Sequence, residues 1–232
     1  MTTAEGASPP ELSTDASHAL QVAVDAAGLP VAGAVLVRAG ENTIYRLAVG
    51  VIARVSHTGH ELGPLLPFTR LRERIDLAEW LAEDDRDWLR QHLADLETRW
   101  PDLPPGLPHR VVHGDAWLGN VVATEERTGI LLDLERCSVG PPEWDLVSTA
   151  IKVGSTGTIS QAEYAEFVDA YGHDVTAWPG YELLRGIREL RITCYGVQQA
   201  AMRTDFRTEA QGRVDCLRGR RGERPWGWAA IG

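Results

Sequence analysis

Apolar residues recur at helical spacing in some stretches of the 232-residue chain and in short runs in others, and these changes of period divide it. Leu20, Val22 and Val24 predict a short helix that Thr14 or Asp15 would cap and Gly28 would follow. Strand-like runs come next at 34–38, 43–48 and 51–55. Gly40-Glu41-Asn42 and Val49-Gly50 join them into an expected antiparallel meander. Between Val55 and Phe68 lie His57, Gly59, His60, Gly63, Pro64 and Pro67, with neither helical nor strand period. A turn-rich connector is expected there.

Helical spacing then returns. Thr69 is placed to cap a helix holding Leu71, Ile75, Ala78 and Leu81. A second, over 84–99, sets Trp88, Leu89, His92, Leu93 and Leu96 on one side. Pro101, Pro104, Pro105 and Pro108 enforce an extended approach to Val111. Near the C-terminus, Ser160 and Glu163 form a capping box for a helix through Tyr164, Phe167, Val168 and Tyr171, ended by Gly172. A long helix over 181–202 carries Leu183, Leu184, Ile187, Leu190 and Cys194, and the tail with Trp226 and Trp228 shows few periodic features.

Ionisable groups concentrate between short apolar runs at 110–145. Val111-Val112 reads as a buried strand ending in His113-Gly114-Asp115, where Gly114 permits a tight turn. Asn120 opens a second strand, 121–123, and 125–129 is a polar turn. A third strand, 130–134, would set Asp133 and Glu135 on one face by side-chain alternation. Asp115, Asn120 and Asp133 thereby meet at one rim. A carboxylate there can orient a hydroxyl and accept its proton. An amide oxygen and a second carboxylate are hard ligands suited to a Mg2+ that binds nucleotide phosphates. The spacing Asp-x-x-x-x-Asn is that of kinase catalytic loops.

Composition narrows the partners. A formal net charge of −10 argues against nucleic-acid binding, and it is compatible with cationic small molecules. Cys137, Cys194 and Cys216 have no metal or disulfide spacing, so free thiols in a reducing compartment are expected. No secretory signal or membrane-length apolar run occurs, and the expectation is a cytoplasmic protein with no membrane partner.

His113-Gly114-Asp115, Asn120, Asp133-Leu134-Glu135 and Trp144-Asp145-Leu146 resemble the catalytic lobe of the aminoglycoside phosphotransferase family, relatives of choline kinase and the protein kinases. The resemblance runs from about Phe68 to the C-terminus. It implies an α+β, protein-kinase-like, two-lobed fold: a lead-in over 1–13, a shortened antiparallel nucleotide lobe over 14–66, and a mostly helical catalytic lobe over 67–232 with a catalytic β-hairpin. It implies ATP, or another nucleoside triphosphate, and Mg2+ as cofactors, and a small-molecule hydroxyl as substrate. Asp115 would be the catalytic base, Asn120 and Asp133 the metal ligands, Asp145 a brace for the loop, and Arg54 the cation facing nucleotide phosphates in place of the usual lysine. Elements absent from the shortened lobe would leave apolar surface open to a protein partner or to self-association. The alternatives are a catalytically impaired relative acting as a binding module, and a metal-dependent phosphohydrolase using His113, Asp115, Asp133 and Glu135.

Overall fold

The structure, a computed structural model, describes residues 14–26, 28–38, 42–48, 52–56, 62–123 and 129–231. The expected lead-in, most residues of the two meander turns, connector residues 57–61 and most of the 125–129 turn lie outside these. So do the side chains of Thr14, Asp15 and Arg54. The chain divides into two compact units, 1–61 and 62–232, each taken here by itself.

In the first unit, α1 (Thr14–Ala26) accompanies an antiparallel sheet of β1 (Val35–Arg38), β2 (Asn42–Arg46) and β3 (Ile52–Ser56), in the order β1-β2-β3. Leu20 and Val24 are one helical turn apart and pack with Tyr45, Leu47 and Val55 into a small core. The register slips between Leu36 and Arg38, which bends β1 at the edge of the sheet. Arg54 lies in β3 opposite Ile44.

The second unit is mostly helical: α2 (Leu71–Asp76), α3 (Glu83–Arg99), α4 (Glu143–Gly154), α5 (Gln161–Tyr171), α6 (Tyr181–Met202) and α7 (Arg207–Leu217). Helix α6 is its axis and touches α2, α3, α4 and α7. The reason is in its sequence: Leu184, Ile187, Leu190, Cys194 and Val197 recur every three or four residues and all are fully buried. Two short antiparallel pairs flank the bundle. β4 (Arg110–Val112) pairs with β7 (Ser138–Gly140), and β5 (Val121–Ala123) pairs with β6 (Gly129–Leu131).

The Ser160 capping box and the left-handed Gly172 stop of α5 form as the residue types require. Several expectations are corrected. Thr69 does not cap α2; its hydroxyl donates to the Leu66 carbonyl, and Arg70, itself left-handed, holds the cap position. Within the connector, Leu65 N–H donates to Val139 and Val139 N–H to Gly63. Residues 63–65 are thus extended chain against β7. The third strand stops at Leu131, because Asp133 turns left-handed (φ 56°) and starts a 3-10 turn, Leu134–Arg136; strand alternation therefore does not govern Asp133 and Glu135. The tail contains α7, and α4 begins directly after Pro141-Pro142, where proline and two early acids favour a helix start.

After α7 the chain folds back over the bundle. The Arg224 guanidinium forms a bidentate pair, 2.7 Å on each arm, with Glu189 of α6, whose side chain is 1% exposed. Trp226 N–H donates to the Ser155 carbonyl, and the stacked Trp228 ring is buried beside Cys216. Arg224→Ala would leave a buried carboxylate whose remaining ion-pair partner among the described residues is Arg185, 3.9 Å away. We expect a stability loss of about 2–4 kcal/mol, near the cost of breaking a buried pair. The urea midpoint measures it, and an unshifted midpoint would show that Glu189 finds another partner.

Candidate active site

The site is built on the turn between β4 and the 3-10 turn Leu118–Asn120. Gly114 is left-handed (φ 81°), and a Cβ added there would sit 2.3 Å from the Arg136 carbonyl oxygen. Glycine is thus required twice, for its dihedral and for the close approach. Asp145, in the first turn of α4, accepts the His113 N–H at 2.6 Å and the Gly114 N–H at 3.0 Å. The neighbouring Trp144 indole donates to the Gly114 carbonyl at 2.9 Å. Two consecutive residues of one helix therefore hold both sides of the turn before Asp115.

The His113 ring is fully engaged. Its Nε2 lies 2.8 Å from the Leu132 carbonyl, which can only accept, so Nε2 carries the hydrogen and Nδ1 receives the Asp115 N–H at 3.3 Å. This ties the Asp115 turn to the segment leading into Asp133. Asn120 does the same from the other side. Its Nδ2 donates to the Asp115 carbonyl at 3.0 Å, and its own carbonyl accepts from Leu132 N–H at 2.8 Å. Since Val121 faces Leu131 in the hairpin register, Asn120 and Asp133 lie at the same hairpin end.

Asp115 is 30% exposed, and its Oδ1 meets Arg188 Nη1 at 3.5 Å. Arg188 is buried on α6 and rests over the Trp144 ring, Cζ 5.4 Å from its centroid. Burial pulls its pKa below the usual guanidinium value, with Asp115 and Asp145 acting in the opposite direction. Asp145 is pushed above the ordinary carboxylate range by burial, which outweighs its two backbone donors.

The hairpin end thus gathers Asp115, Asn120 and Asp133 through the chain segments that bear them. Glu135 lies in the turn beyond, and Arg54 belongs to the other unit. Because Asn120 Nδ2 is engaged, any cation there would meet its Oδ1. With the exposed Asp133 carboxylate this makes an all-oxygen donor pair that fits Mg2+ and does not favour a softer metal. Among the described residues no cluster of three His, Cys, Asp or Glu forms a metal cage. Sequence reasoning missed Arg188 and Arg191. The available signal was two arginines on the same three-and-four-spaced stripe as Leu184 and Ile187, where a charge must have a use.

A mostly helical unit with this turn and hairpin, and a separate unit with a three-stranded antiparallel sheet, define a protein-kinase-like fold. The model of the phosphotransferase enzyme family (APH) matches residues 13–186, well over half the chain, and the chain belongs to that family. Among solved structures, LicA in complex with AMP is 17% identical, covering 88% of this chain and 76% of its own, with a TM-score of 0.53. Choline kinase LicA from Streptococcus pneumoniae is 19% identical over 66% of this chain and 56% of its own (TM-score 0.45). Spectinomycin phosphotransferase APH(9)-Ia, in complex with ADP and spectinomycin, is 16% identical over 68% and 53% (TM-score 0.40). The chain thus spans little more than half the length of these last two. No curated protein matches it.

The raised pKa of Asp145 fixes the sign of a pH effect. The folded chain holds this proton more readily than the unfolded one. That stability is full below the ordinary carboxylate value of about 4 and is lost as pH rises through the raised value. The stability of wild type relative to Asp145→Asn should therefore fall as pH rises from about 4, then level off. Urea unfolding at successive pH values checks this; a difference constant with pH would contradict it.

Proposed function

We propose that this chain transfers the γ-phosphoryl group of ATP to a hydroxyl of a small molecule. The observation that carries the reading is the fixed Asp115 turn: Asp145 and Trp144 hold it from below, and His113 and Asn120 tie it to the segment bearing Asp133. Phosphoryl transfer needs little covalent help from a protein and depends on positioning and charge, which is what such a braced loop supplies. Family membership supports the reaction class, and the AMP held by LicA, a protein of the same fold, supports an adenine nucleotide as donor.

In this reading Arg188 engages Asp115 Oδ1, leaving Oδ2 to the acceptor hydroxyl. Asp115 orients that oxygen for in-line attack and takes its proton as the O–P bond forms and the bond to the β-phosphate oxygen breaks, with ADP leaving. Asn120 Oδ1 and the Asp133 carboxylate would hold Mg2+. A Mg2+ held there would supply charge neutralisation to the donor phosphates. Arg54 on β3 is the cation assigned to the donor phosphates, and the cytoplasm is the compartment that suits a nucleotide-dependent enzyme with free thiols. Among the described helices none is long and apolar enough to cross a membrane. The phosphohydrolase alternative is disfavoured because both His113 ring nitrogens are already engaged.

Asp115→Asn should lower kcat by about 10²–10⁴, the range for losing a positioned base, with Mg-ATP affinity nearly kept. Asp133→Ala should lose both turnover and the Mg2+ dependence of nucleotide binding. ADP release with a panel of alcohols, together with calorimetry of Mg-ATP, distinguishes the two. Wild-type protein with neither turnover nor Mg-nucleotide binding would sink the proposal.

A further inference from the structure

Three arginines stand near the Asp115 turn, although the chain is acidic. Arg188 and Arg191, three residues apart on α6, are both buried against the Trp144 ring, with Cζ at 5.4 and 5.6 Å from its centroid. Arg136, half-buried in the 3-10 turn, brings its backbone against Gly114, the residue before Asp115. Among the described residues Arg188 alone of these three closes an ion pair, its 3.5 Å contact with Asp115. Among the described residues Arg191 donates to the Pro67 carbonyl, and the buried Nε of Arg188 has no hydrogen-bond partner. The three repel one another: burial pulls Arg191 down to about 9, with Arg188 and Arg136 adding to the effect. Arg188 is answered by Asp115 and Asp145, but buried Arg191 has no ion-pair partner among the described residues, and an unpaired buried cation is costly.

We propose that the acceptor alcohol carries an anionic group, a carboxylate or a phosphate, received beside Asp115 by Arg136 at the surface, with Arg188 and Arg191 beneath it. The inference rests on the phosphotransferase reading and names its substrate class. Buried charges are screened little by salt, so the field of Arg188 and Arg191 persists at the site and attracts an anionic group. A planar guanidinium also matches the paired oxygens of a carboxylate or phosphate.

The test titrates D-glycerate, glycerol 3-phosphate and choline calorimetrically into the full chain, wild type and Arg136→Gln, and follows ADP release with Mg-ATP in the same samples. Arg136 is partly exposed, so its variant should fold; circular dichroism checks this. At least one of the two anions should bind and choline should not, and Arg136→Gln should weaken anion binding at least tenfold. The tighter anion tells carboxylate from phosphate. Binding of choline in preference to both anions, binding of neither anion, or an anion affinity indifferent to Arg136→Gln would overturn the inference. ADP release with choline alone would overturn it while leaving the phosphotransferase reading intact. Anion binding with no ADP release from any alcohol would support the site and count against that reading.

Discussion

Everything at the candidate site depends on one carboxylate receiving two successive backbone N–H groups. Asp145 grips His113 and Gly114, and the adjacent Trp144 grips the Gly114 carbonyl, so a tight left-handed turn is held at three points by one helix start. Burial makes that carboxylate reluctant to ionise, and the helix N-terminus with its two donors is what makes a charge there tolerable. The cost is accepted in the core so that Asp115, partly in solvent, need not be flexible.

From this fixed point the hydrogen bonds run outward to the hairpin. His113 reaches Leu132, and Asn120 clasps both the Asp115 carbonyl and the Leu132 amide. The Asn120 side chain, proposed as a metal ligand, is therefore also a structural clasp on the Asp115 turn, while its main chain holds Leu132. Asp133 sits in a left-handed conformation that a short polar side chain tolerates better than most, and strain of this kind gathers at functional sites.

Much of this was legible in the residues. Periodicity located the three-stranded sheet and α6, and the capping box of α5 needed no tertiary information, because its partners lie three residues apart. The motif residues pointed to a family, and the match over residues 13–186 bears out that membership. What stayed hidden was set by contacts distant in sequence or by single dihedrals. The left-handed turn at Asp133 ended a strand that alternation would have continued. The pairing of Gly63 and Leu65 with Val139 gave form to a segment without any period of its own. The arginines of α6 escaped notice because apolar neighbours defined the helix. A net charge of −10 over the whole chain carries no information about Arg188 beside Asp115.

The tail adds a consequence of another kind. Arg188 and Glu189 are neighbours on α6, yet one turns to the catalytic loop and the other to Arg224, thirty-five residues later. The family match stops at residue 186, just short of both. Ion pairs that hold the second unit together thus extend well past the residues that the family match covers. Insertions or cuts in the segment after α7 would strip the buried Glu189 carboxylate of its bidentate partner, one residue along α6 from the arginine that meets Asp115.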